Sequence, residues 1–165
     1  MKFLARNEIK IDWIIVFLLT CFAFGLRWPG INNSLYGDES TSFLMFGKSS
    51  WQSLVFNYQD TNQHTLFSIF SNFFLKIFGE SELIFRLPAF LAGVLSIPLI
   101  YFFTYQYTHC RLSAFLSSLI LTISGPQIMW SQLGRGYALT ILLAILFMLS
   151  VFKLIENSKS RKWGL

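Results

Sequence analysis

The chain has 165 residues, of which 54% are hydrophobic and only 13% are charged, and it contains 19 phenylalanines. Its mean hydropathy is +0.54. A small soluble domain has too little interior to bury so much apolar surface. The same composition excludes intrinsic disorder and collagen-like repeats. The sequence therefore predicts an integral membrane protein, in which Cys21 and Cys110 define no disulfide framework and stay unpaired.

Four apolar stretches are predicted to cross the bilayer, whose hydrocarbon core of about 30 Å needs roughly 20 helical residues. These spans cover about 11–28, 84–107, 112–130 and 137–154. The first apolar run is the shortest, and tryptophans bracket it at positions suited to the two membrane interfaces. Spans are expected to be helices, because lipid satisfies no open backbone groups. The predicted fold class is an all-α membrane bundle of about four transmembrane helices.

A fifth apolar stretch, Thr65–Phe78, is predicted to be an amphipathic helix that lies in the interface. It is short, and its large apolar residues recur at the spacing of one helical face. Four polar residues fall together on the opposite face: Ser68, Ser71, Asn72 and Lys76. This pattern is typical of a helix that lies in the membrane plane and does not cross it.

The basic residues predict the orientation of the chain. A cytoplasmic N-terminus places eight of the thirteen basic residues in short inner segments, in agreement with the positive-inside rule. The eight are Lys2, Arg6, Lys10, Arg111, Lys153, Lys159, Arg161 and Lys162. The first outer loop then covers about 29–83 and the second about 128–136, and these two loops are predicted to hold every notable polar residue. The net charge of +5 is therefore interpreted as setting the orientation in the membrane, and no nucleic-acid partner is predicted.

Two adjacent carboxylates, Asp38 and Glu39, lie just after the first span in the sequence Tyr36-Gly37-Asp38-Glu39-Ser40. Carboxylates beside lipid are costly, which favours a functional role. One can act as a general base on an acceptor hydroxyl, while its neighbour orients the base or binds a divalent metal. An ordinary helix start explains the same residues equally well, because acids are favoured at the positive end of a helix.

Three further residues have alternative interpretations. His64 begins the interfacial helix and either contacts a phosphate or a sugar, or is simply an interface residue. Arg86, at the mouth of the second span, is predicted to be an anchor with its stem in lipid. Arg135 either holds a lipid phosphate bidentately or anchors its helix at the interface. No Gly-rich nucleotide loop, paired-cysteine site or Ser-His-Asp order is visible, so no nucleotide or redox cofactor is predicted.

The order of motifs along the chain carries a family resemblance. The motifs are the outer Asp38-Glu39 pair, the helix that begins at His64 and ends Phe78-Gly79-Glu80-Ser81-Glu82, the segment Arg86-Leu87-Pro88-Ala89, and the segment from Trp130 to Leu139 that includes Arg135-Gly136-Tyr137. This order resembles the N-terminal part of the polytopic GT-C glycosyltransferases over essentially the whole chain. Among these enzymes, the chain is most similar to the dolichyl-phosphate-mannose protein mannosyltransferases and the bacterial aminoarabinose transferases.

The resemblance implies a membrane glycosyltransferase that moves a sugar from a polyprenyl-phosphate-linked donor to a hydroxyl of a protein, lipid or glycan. It implies that Asp38 is the base and that Glu39 is its partner. The residues themselves, without the resemblance, make Glu39 the candidate ligand of a divalent Mg or Mn ion. The resemblance implies substrate contacts for His64, Arg135 and Tyr137, with Arg135 at the carrier phosphate. The expected location is a bacterial inner membrane or the endoplasmic reticulum, with the chemistry on the periplasmic or lumenal face.

The chain departs from the family pattern in three respects. Relatives often carry His-Pro-Pro-Leu where this chain has His64-Thr65-Leu66-Phe67, and many carry an acidic residue where this chain has Leu133. Relatives also have more spans, so residues 1–165 are expected to be an N-terminal fragment that is inactive alone. The alternative is a non-enzymatic membrane protein, such as part of a transporter or a lipid-binding subunit. Transporters, however, tend to place ionisable groups within their spans.

Overall fold

The computed structural model describes residues 2–58 and 60–163, with side chains for residues 10–58 and 60–156. Within these ranges the chain forms eight helices and no strand, which confirms the all-α prediction. The helices are α1 (Lys2–Arg27), α2 (Asp38–Phe46), α3 (Trp51–Phe56), α4 (Thr65–Phe78), α5 (Glu82–Thr108), α6 (Arg111–Ile123), α7 (Gly125–Gln132) and α8 (Tyr137–Trp163). Part of the orientation prediction rests on side chains outside the described ranges, namely Lys2, Arg6, Lys159, Arg161 and Lys162.

Helix α5 lies at the centre of the bundle and contacts α1, α4, α6, α7 and α8. Its buried face includes the small residues Ala89, Ala92 and Gly93. Small residues let neighbouring helices approach closely, as is usual between membrane helices. Gly93 is the tightest of these contacts, because a Cβ atom there would lie 1.9 Å from Ser131 Oγ on α7.

Two described helices are long and apolar enough to cross a membrane, namely α5 (Glu82–Thr108) and the first part of α8 (Tyr137–Glu156). A third is available if α6 and α7 together form one span, although they meet at a 56° bend. Helix α1 is not among them, and its described side chains include the charged residues Lys10, Asp12 and Arg27. By length and composition, the structure therefore supports two or three spans where four were predicted.

The bend between α6 and α7 interrupts the span predicted over about 112–130. Ser124 has extended backbone angles, and Pro126 lies in the first turn of α7. Proline is well tolerated there because the first N–H groups of a helix have no partner within it. The sequence Gly125-Pro126 therefore indicated a break in the predicted helix, which the four-span prediction did not include. As a result α7 runs to Gln132, and only residues 133–136 form the link to α8.

Helix α4 has the bounds of the predicted amphipathic helix, but three of the four residues of its polar face, Ser68, Ser71 and Asn72, are buried in the protein, and only Lys76 is exposed. Ser71 Oγ donates to the Phe85 carbonyl, and Asn72 Nδ2 donates to three carbonyls around the end of α2. The exposed face is the apolar one, with Leu66, Phe70, Phe73, Ile77 and Phe78. This orientation suits contact with lipid, because the buried polar groups find their partners inside the protein.

The prediction that all notable polar residues lie in the outer loops is wrong for α1. Asp12 is buried and accepts hydrogen bonds from the Tyr101 hydroxyl at 2.8 Å and from Arg111 Nε at 2.9 Å. Arg27 is fully buried and donates to Ser131 Oγ and to three backbone carbonyls of α1 and α6. Buried charges need partners of this kind. The two residues tie α1 to α5, α6 and α7.

Candidate active site

The adjacent carboxylates Asp38 and Glu39 begin helix α2 and point into different environments. Gly37 precedes them with φ of 55°, a left-handed backbone conformation that glycine adopts without steric cost. Asp38 is 69% exposed, whereas Glu39 is only 3% exposed. The helix start predicted from the residues is therefore present, and it leaves one carboxylate accessible and the other inside the protein.

Glu39 forms a buried, bidentate ion pair with Arg86 of α5. Arg86 Nε donates to Glu39 Oε1 and Arg86 Nη2 donates to Glu39 Oε2, both at 2.6 Å. The backbone N–H of Gly134 also donates to Glu39 Oε1. Glu39 therefore connects the segment between α1 and α5, the start of α5 and the link before α8.

The prediction that Arg86 is a lipid anchor is wrong. Its side chain is 2% exposed, and besides Glu39 it donates to the backbone carbonyls of Ile31, Asn33 and Ser34. The sequence contained a partial signal. Arg86 lies at the start of the second predicted span, which the predicted topology places on the same side of the membrane as Asp38 and Glu39. The residues alone could not show that the segment before α2 folds back over this guanidinium.

Glu39 does not fit the predicted metal-ligand role. Both of its oxygens accept hydrogen bonds from Arg86, and Oε1 also accepts one from Gly134. Within the described residues, no group of three or more His, Cys, Asp or Glu side chains could hold a metal ion. Binding a metal at Glu39 would require breaking a buried ion pair, so the donor set around this carboxylate does not suit a divalent cation.

Arg135 is the centre of a second polar cluster, in the link before α8. Its Nη1 lies 3.3 Å from Asp38 Oδ2 and donates to Asn62 Oδ1 at 3.3 Å. Its Nε donates to His64 Nε2 at 3.1 Å, and its guanidinium carbon lies 5.8 Å from the centre of the Tyr137 ring. The structure thus brings together the predicted residues Asp38, His64, Arg135 and Tyr137. Asn62 is a member that the sequence did not indicate.

His64 is the residue before α4, and its imidazole contacts both the link and the first residue of α8. Its ring centre lies 5.2 Å from that of Tyr137. A Cβ atom at Gly136 would lie 3.2 Å from His64 Nδ1, so the small residue permits this approach. Burial and the nearby Arg135 charge lower the pKa of His64. A neutral imidazole is the form that can accept the Arg135 hydrogen bond at Nε2.

An open cavity of about 440 Å³ lies between the start of α2 and the link. Its lining comprises Tyr36, Gly37, Asp38, Glu39, Leu133, Arg135 and Tyr137. Four of the five predicted site residues therefore line one cavity. The fifth, His64, lines an adjacent cavity of about 180 Å³ at the starts of α4 and α8. Leu133, at the position where relatives were expected to carry an acid, contributes an apolar wall.

A family model for dolichyl-phosphate-mannose-protein mannosyltransferases matches residues 64–165, which is more than half of the chain. The chain belongs to this family. It is accordingly a membrane glycosyltransferase of the GT-C type, which confirms the family resemblance and the coarse function. No curated protein and no solved structure matches the chain.

The match to the mannosyltransferase family begins at His64 and so includes Arg86, Arg135 and Tyr137, but not Asp38 or Glu39. Two of the ion pairs that join the two parts of the chain lie at the candidate site. Glu39 pairs with Arg86, and Asp38 pairs with Arg135, so both members of the adjacent acidic pair meet an arginine of the matched segment.

Proposed function

We propose that the protein transfers a sugar from a polyprenyl-phosphate-linked donor to an acceptor hydroxyl, with Asp38 as the general base. The observation that carries the proposal is the exposed Asp38 carboxylate, which is paired with Arg135 at 3.3 Å in a cavity that both residues line, in a member of a mannosyltransferase family. The family name makes a polyprenyl-phosphate mannose the first donor to test. The acceptor is proposed to be a protein, lipid or glycan.

The proposed step forms one bond and breaks one. The acceptor oxygen attacks the anomeric carbon of the sugar while its proton passes to the Asp38 carboxylate. The bond between the anomeric carbon and the phosphate oxygen breaks, and the electron pair leaves with the polyprenyl phosphate. General bases of this kind typically contribute about 10²- to 10⁴-fold in rate. Asp38 acts in this role as a carboxylate, and its exposure makes it accessible to the acceptor.

Arg135 is proposed to bind the carrier phosphate. Its Nη2 donates no hydrogen bond to any described residue, so it is available to a ligand. An arginine beside the phosphate stabilises the negative charge that develops on the leaving group. His64 holds Nε of the same guanidinium, and Tyr137 lies against it. These two residues are therefore proposed to orient Arg135.

The proposed chemistry lies on the outer face of the membrane, with a cytoplasmic N-terminus. The site lies near the starts of α5 and α8, and Cys110 lies in the turn after α5, at the other end of that helix. Cys21→Ala leaves exposed Cys110 as an inner reporter, and Thr61→Cys supplies an outer one. A membrane-impermeant maleimide should label only the Thr61→Cys position in intact cells. Labelling of both from one side would reject the orientation.

Replacement of Asp38 by asparagine tests the base assignment. Asn keeps the shape and cannot take a proton, so transfer of labelled mannose in membranes should fall by about 10²- to 10⁴-fold. The amount of protein in the membrane should be unchanged, since Asp38 is largely exposed. Glu80→Gln is the matched control, because Glu80 is an exposed carboxylate outside the cavity. Transfer by Asp38→Asn at the level of this control would exclude Asp38 as the base.

A further inference from the structure

A second cavity of about 280 Å³ adjoins the one that contains Asp38 and Arg135. The two cavities share Tyr36, Glu39 and Leu133 as lining residues, so they meet at these side chains. The volume lies just below the range of about 300–1,000 Å³ typical of small-molecule pockets. A single small group fits such a space.

The second cavity contains charged residues but offers no free charge. Glu39 and Arg86 line it, and they are paired with each other. The remaining N–H groups of Arg86 are directed to backbone carbonyls. A phosphate in this cavity would find no available cation, in contrast to the first cavity with Arg135. The chemistry of the second cavity therefore favours a neutral ligand.

The same cavity offers neutral hydrogen-bonding groups. The side chains of Asn33 and Ser34 form no hydrogen bonds with the described residues. Gln132 donates through Nε2 to the carbonyls of Leu26 and Arg27, which fixes its amide and leaves Oε1 as a free acceptor. Amides and hydroxyls of this kind are suited to donate to, and accept from, the hydroxyls of a ligand.

Apolar surfaces face these polar groups. Tyr36 is 89% exposed, Met129 is 51% exposed, and Leu133 lines both cavities. A sugar ring has the matching character, with hydroxyls around its edge and an apolar face of C–H groups. An aromatic ring that is apolar on its face and polar at its tip is suited to such a ligand.

We infer that the second cavity binds a neutral sugar ring, adjacent to the phosphate contact at Arg135 in the cavity that shares Tyr36 and Leu133 with it. The inference rests on the proposed function for the identity of the neighbouring phosphate. The ring belongs either to the donor or to a glycan acceptor, and the chemistry of the cavity is the same for both.

Cysteine protection tests the inference in the purified full chain. The background is Cys21→Ala with Cys110→Ser, which removes both native thiols. Ser34→Cys reports on the second cavity, with Met129→Cys as a second reporter at an independent position. Asp38→Cys reports on the first cavity, and exposed Thr61→Cys is the control that lines neither. The rate of maleimide labelling is measured with methyl mannoside, undecaprenyl phosphate and undecaprenyl-phosphate mannose as probes.

Methyl mannoside should slow labelling of Ser34→Cys and Met129→Cys several-fold and leave Thr61→Cys unchanged. Labelling of both second-cavity reporters at the control rate would overturn the inference. Undecaprenyl phosphate should slow only Asp38→Cys, and its failure there would count against the proposed function without affecting the result with methyl mannoside. Protection of both cavities by undecaprenyl-phosphate mannose assigns the ring to the donor. Protection of the first cavity alone assigns it to a glycan acceptor.

Discussion

Replacement of Arg86 by methionine tests whether the buried ion pair with Glu39 holds the loop between α1 and α5 on the bundle. The two side chains are 2% and 3% exposed. Methionine has a long unbranched side chain but no donor. In this variant Glu39 keeps only the hydrogen bond from the Gly134 N–H, and three backbone carbonyls lose their partner. A buried, uncompensated carboxylate should therefore destabilise the fold.

Removal of one partner of a buried pair costs about 3–5 kcal/mol. At about 1.4 kcal/mol per factor of ten, this lowers the folding equilibrium constant by roughly two to three and a half orders of magnitude. Arg86→Lys should recover only part of the loss, because an ammonium group cannot reproduce the bidentate geometry. The double variant Glu39→Gln with Arg86→Met should also be more stable than Arg86→Met, since no charge remains buried.

The assay is denaturant unfolding of the purified protein in detergent. The control is Lys48→Met, which breaks the exposed ion pair of Lys48 with Glu80, at 70% and 59% exposure. A pair this exposed contributes less than about 1 kcal/mol. If Arg86→Met lost no more stability than Lys48→Met, the Glu39–Arg86 pair would not hold the loop, and the argument from burial would be refuted.

Three further outcomes are expected. Arg135→Gln should weaken the binding of undecaprenyl phosphate by about 10- to 100-fold, because charge-assisted hydrogen bonds contribute about 1.5–3 kcal/mol; unchanged affinity in a tryptophan-fluorescence titration would reject the phosphate contact. The lowered pKa of His64 means that the folded protein binds its proton less readily than the unfolded chain. Thermal stability should therefore fall as the pH drops below about 6.5, and a His64→Gln variant with the same pH profile would contradict this. Gly93→Ala should cost about 1–3 kcal/mol by crowding Ser131, whereas Gly25→Ala, which has no neighbour within 4 Å, should not destabilise in the same unfolding assay.

The features that follow from local patterns could be predicted from the sequence. The helical fold class and the bounds of Thr65–Phe78 follow from apolar runs and their spacing, which act over a few residues. The orientation of α4 needed more information, because a polar face can meet either water or the protein. Asn72 meets backbone carbonyls 23 to 26 residues earlier in the chain, and no spacing rule indicates such a contact.

The candidate site could be predicted only in part, for the same reason. Asp38, His64 and Arg135 were selected by residue type and position, and the structure brings them together across separations of 71 residues and more. The role of Arg86 could not be predicted from the sequence, because its partner Glu39 lies 47 residues away in a different helix. Asp12 was visible as a carboxylate within the first predicted span and was a missed signal, since such residues are rarely unpaired.

Asp38 and Glu39 are neighbours in sequence but face different arginines, and helix geometry explains why. Successive residues of a helix point about 100° apart, so the first turn of α2 can direct Glu39 inward and Asp38 toward the cavity. Arg86 and Arg135 both lie near helix N-termini, where the positive end of the dipole disfavours a cation. Each is compensated by one carboxylate. In the proposed reaction, a donor phosphate at Arg135 takes over this compensation and releases Asp38 to accept a proton, while buried Glu39 remains in place.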